Sequence, residues 1–171
     1  MPTKKTVKKT AAKKAATPKV EKPKQLKVIK NPISYTVSNT FKLPMSKVWD
    51  AATKAEHLKG YFVDDMRGEF SSKLKPVGWF WKEWGWTDVT PVKYVRNKEM
   101  VIENADMLQN KYLITTRYEC VRKGNQTILR IHESGYSPKD LKSAFMMAEG
   151  WAEFLCYLKA HLMGVDLRKA G

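Results

Sequence analysis

The sequence predicts an α+β fold in which one strand, two short helices and a meander of strands lead into a long C-terminal helix. Three observations carry that expectation. Apolar residues recur at helical spacing near the C-terminus, from Leu141 to Leu162. Short alternating runs separated by turn signals fill the middle of the chain. The positive charge is concentrated at the N-terminus, outside the apolar pattern. Of the formal +15, residues 1–30 contribute +10, from eleven Lys against Glu21 alone, which leaves +5 for the remainder. Inferences from charge about partners therefore attach to that segment and not to the fold.

The N-terminal segment is expected to be a disordered, Lys-rich tail spanning residues 1–32. Its Lys, Ala, Thr, Pro and Val, with no aromatic residue, cannot bury enough apolar area to offset chain entropy. Paired lysines recur at Lys4, Lys5, Lys8, Lys9, Lys13 and Lys14. The composition is similar to the Lys/Ala/Pro tails of linker histones and bacterial histone-like proteins. Two readings stand: a solubilising tail, or a polyanion-binding one whose nucleic-acid affinity is salt-dependent and blind to sequence.

Ile33, Tyr35 and Val37 alternate with polar residues as far as Phe41, which predicts a first strand over 33–42. Leu43-Pro44 ends it, and Pro44 or Ser46 opens a helix through Trp49 and Ala52. A second helical turn over Lys54–Gly60 follows. Five strands are expected next, at about 66–74, 79–90, 92–103, 111–122 and 126–135. Asn97-Lys98 is a turn signal between the third and fourth, and Lys123-Gly124-Asn125 marks a hairpin between the last two. Ser137-Pro138-Lys139-Asp140 then reads as cap, Pro at the first helical position and acid at the third. Leu141, Ala144, Phe145, Ala148, Trp151, Leu155, Leu158 and Leu162 supply the buried face of the last helix, and Gly164 stops it.

No apolar run approaches the roughly 20 residues of a membrane span. With no secretory signal either, the expected compartment is the cytoplasm, or the nucleoid where the tail engages DNA. Cys120 and Cys156 lack metal spacing and suit small buried thiols in a reduced compartment. His57 and His161 have no Cys or His partner at ligand spacing, so no metal and no cofactor is expected.

The densest signal is Gly78–Trp86, GWFWKEWGW, which holds four of the six Trp around Glu83. Trp anchors a core or lines a pocket with its N–H directed at a partner. Trp79 and Trp81 are thus either packed sheet core or the aromatic wall of a ligand cavity, and Glu83 alternates with them unless Gly85 marks a bulge. Glu133 shares a strand face with Leu129 and Ile131, as a hydrated rim carboxylate or as a polar handle inside the pocket. Met146, Met147 and Trp151 lie on the helix stretch expected to face the cavity. No nucleophile elbow, P-loop or dinucleotide Gly motif is present, and a non-enzymatic role is expected.

The ordered landmarks resemble a family. They are Val48-Trp49-Asp50-Ala51 after a strand ending in Leu43-Pro44, Ala55-Glu56-His57-Leu58 with Tyr61, and Gly68-Glu69-Phe70. Gln126-Thr127-Ile128-Leu129 then leads to Glu133-Ser134-Gly135, and Glu149-Gly150-Trp151 precedes Leu155 and Leu158. Together they look like the branch of the START-like (SRPBCC) superfamily that contains activators of the heat shock protein 90 ATPase. The resemblance covers 33–164 and leaves 165–171 as a short C-terminal tail. It implies a helix-grip fold, a curved antiparallel sheet wrapped around the long helix with an apolar cavity between them. It also implies one of two roles: binding a small hydrophobic ligand or lipid, or associating with a chaperone partner. On the first, Trp79, Trp81, Glu83, Glu133, Met147 and Trp151 are the ligand-binding candidates.

Overall fold

The structure, a computed structural model, describes residues 26–105 and 111–167. The element order is β1 (Ile33–Phe41), α1 (Met45–Thr53), α2 (Ala55–Tyr61), β2 (Asp65–Arg67), β3 (Val77–Trp81), β4 (Gly85–Val95), β5 (Glu99–Ala105), β6 (Leu113–Lys123), β7 (Gln126–Tyr136) and α3 (Leu141–Leu162). The seven strands form one antiparallel sheet in the order β1-β7-β6-β5-β4-β3-β2. Chain-adjacent β2 to β7 meander, and β1 closes against β7. The helices cover one face, where Trp49, Leu58, Val77, Met100, Ile102, Tyr118, Leu129, Ile131, Phe154 and Leu158 form the core. This is the expected α+β helix-grip fold.

Six strands, not five, follow the helices. The tryptophan-rich run expected as one strand over 79–90 is a hairpin. Trp81 pairs with Gly85 across a Lys82-Glu83-Trp84 turn, closed by the Trp84 N–H to the Trp81 carbonyl at 3.1 Å. Gly85 sits at φ +80°, the left-handed position such a three-residue loop requires. The expected strand 66–74 shrinks to Asp65–Arg67, because Gly68 at φ +79° turns the chain out of the sheet. The turn falls at Asn97-Lys98 as expected, but it splits the expected strand 92–103, whose first part completes β4 and whose remainder is β5.

At its N-terminal end α3 starts a turn later than Ser137-Pro138 implied. Ser137 to Asp140 form a turn, with the Asp140 N–H on the Ser137 carbonyl at 2.8 Å, and Asp140 stands at the N-cap with its carboxylate accepting from the Ser143 hydroxyl at 2.6 Å. Leu141 and Phe145, expected in the buried face, are exposed, while Ser143 and Ala144 face inward. The stop at Gly164 is as expected. Its N–H reaches the His161 carbonyl at 3.0 Å and that of Val165 the Ala160 carbonyl at 2.9 Å, with Gly164 at φ +75°.

Lys27, inside the expected tail, forms a parallel bridge to Tyr112. Its N–H donates to the Lys111 carbonyl at 2.9 Å, and its carbonyl accepts from the Leu113 N–H at 3.1 Å. Backbone contacts with the domain thus begin ahead of residue 33. Cys120 is buried, which pushes its thiol up to about 11. Cys156 is exposed, contrary to expectation, because it lies on the solvent side of α3.

Candidate functional site: an aromatic groove and a buried carboxylate

Glu133 is 2% exposed on the inner face of β7, and each neighbouring element brings it a donor. Tyr35, its cross-strand partner on β1, donates to Oε1 in a short hydrogen bond. Thr116, its partner on β6, donates to Oε2 at 2.8 Å. The Trp151 indole of α3 reaches Oε2 at 2.6 Å, and the Tyr136 hydroxyl reaches Oε1 at 2.7 Å. Simple alternation would turn Tyr136 away from Glu133. The β1–β7 register shifts between Ile33 and Ser34, so that Gly135 is an extra residue, at φ +130°. That bulge swings Tyr136 onto the inner face. Only glycine fits there, since a Cβ would lie 2.3 Å from the Leu113 carbonyl oxygen. Burial first, and then the Glu133 charge, hold the Tyr35 and Tyr118 hydroxyls far above the ordinary tyrosine range. Glu133 is therefore neither the hydrated rim residue nor a handle exposed to a pocket. It is a saturated acceptor that ties β1, β6, β7 and α3 together.

The other side of Trp151 faces an open groove of about 480 Å³ between the end of α2, the β3–β4 hairpin and α3. Its walls are Tyr61, Phe62, Trp79, Trp81, Trp84, Trp151, Phe154 and Tyr157, with Met146 and Met147 on the helix side. Phe62, just past α2, organises them. It meets Trp79 edge-on at 5.4 Å, Trp81 at 5.5 Å and Phe154 at 4.8 Å, and stacks on Trp151 at 6.1 Å. Trp81 is held by its N–H on the Phe62 carbonyl at 2.8 Å. Gly150 lies mid-helix on the groove, where an added Cβ would meet nothing within 4 Å. A helix-interior Gly costs roughly 0.5–1 kcal/mol relative to Ala. Here that cost leaves the α3 wall open.

Of the six ligand-binding candidates, Trp79, Trp81, Met147 and Trp151 meet in this groove. Glu133 sits behind Trp151 and does not line it. Glu83 is exposed in the hairpin turn, because β3 ends at Trp81 and the turn before Gly85 interrupts the strand that was expected to carry it inward. Tyr61, Phe62, Trp84, Phe154 and Tyr157 were missed as site residues. Gly85 carried the signal for Trp84, since a left-handed Gly after WKEW places that Trp at a hairpin tip. The tail lysines Lys4, Lys5, Lys8, Lys9, Lys13 and Lys14 lie outside the described residues.

Two other places hold polar groups. His57 and His161 pair across α2 and α3, Nδ1 to Nε2 at 3.0 Å, a tertiary contact that sequence spacing concealed. Among the described residues no group of three or more His, Cys, Asp or Glu is placed to hold a metal ion. A polar pocket of about 420 Å³ beside α1 holds Asp50, with Lys54 at 2.9 Å and Arg96 at 3.6 Å from its carboxylate. No helix among the described residues is long and apolar enough to cross a membrane.

A curved sheet gripping one long helix, with an apolar groove between them, defines a START-like helix-grip domain. Residues 42–163 match the profile of the family described as "Activator of Hsp90 ATPase homolog 1-like protein", and the chain belongs to that family. Among curated proteins none matches the sequence. Solved structures share the fold. Protein MLL2253 from Mesorhizobium loti aligns at a TM-score of 0.69 and 17% identity, over 78% of this chain and 99% of its own. The Aha1 dimer from Colwellia psychrerythraea aligns at 0.61 and 21%, over 75% of this chain and 94% of its own. CalU16 from Micromonospora echinospora aligns at 0.63 and 16%, over 79% and 76%.

Proposed function

We propose that this domain is a non-enzymatic binding module that takes a small hydrophobic ligand in the groove between the β3–β4 hairpin and α3. One observation carries the reading: eight aromatic and two Met side chains wall an open volume of about 480 Å³, with a glycine where the helix would otherwise fill it. That volume falls within the roughly 300–1,000 Å³ of small-molecule sites, and its lining is apolar in the same way. Met and aromatic side chains adapt to ligand shape at little cost, which suits a module for apolar guests.

Native mass spectrometry of the purified protein before and after organic extraction, together with titration of an environment-sensitive apolar dye, tests this. A co-purifying mass or saturable dye binding is expected in the native chain. Gly150→Leu should remove either one while leaving the fold intact, since it places a side chain in open groove and gains helix propensity. A native chain that binds nothing overturns the proposal, as does a Gly150→Leu variant that binds as well as the native chain. Association with a heat-shock chaperone, which the family description suggests, would then be the reading to pursue.

A further inference from the structure

We propose that five lysines at one end of the sheet, Lys27, Lys30, Lys111, Lys139 and Lys142, bind the phosphate backbone of nucleic acid together with the lysines that precede them in the chain. The proposal is independent of the groove and of what fills it.

The fold brings the five to one place. The parallel bridge sets Lys27 beside Lys111, with the Lys27 N–H on the Lys111 carbonyl at 2.9 Å. Ile33 pairs with Tyr136 where β1 begins and β7 ends. Lys30 precedes that pair and Lys139 follows it, each by three residues, so both run past the same end of the sheet. Ile33, Tyr112 and Tyr136 join Ala144 in one small apolar cluster, which fixes the first turn of α3, and Lys142 with it, at that end. All five lysines are exposed.

Elsewhere the cations are matched. Lys93 and Arg117 lie 2.5 and 2.6 Å from Glu99, Arg130 lies 3.0 Å from Glu119, and Arg67 lies 2.6 Å from Asp88. Lys27, Lys30, Lys139 and Lys142 form no such pair among the described residues. The acids nearest to them by register are Glu103, opposite Thr115, and Asp140, whose carboxylate already accepts from the Ser143 hydroxyl. Residues 1–25, outside the described residues, add nine Lys against Glu21 just ahead of Lys27. Positive charge gathered in this way raises the local concentration of a polyanion.

The residue types narrow the polyanion. A nucleic-acid duplex carries one negative charge per about 1.7 Å, and lysines that neutralise it release condensed counterions. Lys is a compact point charge without the planar fork of Arg, so its contacts fall on phosphates and not on base edges. Residues 1–32 contain neither Arg nor an aromatic residue. A bilayer fits less well. Leu141, Phe145 and Met146 are exposed along the start of α3, but Asp140 and Glu149 flank them with charge that anionic lipid repels. The Lys-rich segment also lacks the Trp, Phe or Leu face that would enter the acyl boundary.

The test is fluorescence anisotropy with the full chain and two unrelated duplexes of about 20 base pairs, at salt from about 50 to 200 mM. Two triple variants remove equal charge from opposite ends of the sheet. Lys111→Gln/Lys139→Gln/Lys142→Gln alters the proposed surface, and Lys42→Gln/Lys98→Gln/Lys123→Gln alters the end with the β4–β5 and β6–β7 turns. The native chain should bind both duplexes alike and weaken steeply with salt. The first triple should lessen that weakening about fortyfold over the same salt range, as three lost phosphate contacts do, and the second should change it less than about twofold. Equal effects of the two triples overturn the proposal, as does binding without salt dependence or a preference of more than about tenfold for one duplex. A readout without variants is the backbone amide spectrum of the native chain. Duplex should shift Lys27, Lys111, Lys139 and Lys142, and shifts confined to Lys98 and Lys123 overturn the proposal. Vesicles of phosphatidylcholine with about 30% phosphatidylserine form the last arm. Vesicle binding that the first triple abolishes, with duplex binding unaffected, assigns the surface to a bilayer and overturns the proposal.

Discussion

The two faces of Trp151 look into opposite kinds of interior. On one side lies a carboxylate with four donors converging on it, each from a different part of the fold. On the other lies an open groove walled by aromatic and Met side chains. The first is a closed polar network, and a fully satisfied network rigidifies a core. The second is apolar and adaptable. The contrast teaches that one residue can be structural through its N–H while its ring face borders an open groove.

The contrast breaks most visibly at Glu133. Glu133→Leu should cost about 4 kcal/mol in chemical denaturation, because it strands four donors around an apolar side chain. Glu133→Gln should cost less, about 1–2 kcal/mol, since the amide oxygen still accepts while its NH2 opposes two donors. Equal losses for the two variants would mean that the network is not what holds this end together.

Trp151→Ala should lose about 3–5 kcal/mol by the same measurement, and dye binding should fall with it, because the ring belongs to both regions. A loss in only one of the two assays would separate regions that the structure joins. At the hairpin tip the effects should part company. Trp84→Ala should leave stability within about 0.5 kcal/mol, as expected for an exposed side chain, yet weaken dye binding several-fold. Unaltered binding there would remove the hairpin tip from the groove's function.

The smallest expected effect is one of pH. Burial first, and then the facing His57, lower the His161 pKa, while Asp166 opposes the shift. His57 in turn has Glu56 at 3.9 Å, and the Tyr61 ring packs against His161. The unfolded chain takes up a proton near pH 6.5, and the folded chain only at lower pH. Stability should therefore decline as pH falls through 6.5 and below it. Thermal unfolding between pH 7.5 and 5.5 should show that decline in the native chain and less of it in His161→Phe. Parallel pH profiles for the two would exclude the His pair as its source.

Much of the fold was legible because its periodicities are long or its punctuation strong. The α3 pattern, the β6–β7 hairpin at Gly124-Asn125 and the Gly164 stop all rest on local chemistry. The β3–β4 hairpin was not read, because five aromatics in the nine residues Gly78–Trp86 look like a continuous strand and Gly85 was the sole turn signal among them. The groove was half legible. Trp79, Trp81, Met147 and Trp151 stood out by type, whereas Phe62, Phe154 and Tyr157 are ordinary aromatics that only tertiary packing brings there. Glu133 was placed on the correct strand face, but its role was hidden. Three of its donors come from residues 17, 18 and 98 positions away. The fourth depends on a bulge that alternation cannot foresee.

That bulge has a consequence for how the chain counts. Up to Ser134, odd-numbered residues of β7 face the helix, and from Gly135 onward the parity is inverted. Every later residue, including the turn that launches α3, inherits its orientation from that inversion. A deletion of one residue at this point would shorten the strand trivially, yet it would present the wrong side of the chain to everything that follows. The Glu-Ser-Gly of β7, seen first as a family landmark, is in this sense a switch of phase written into one backbone angle.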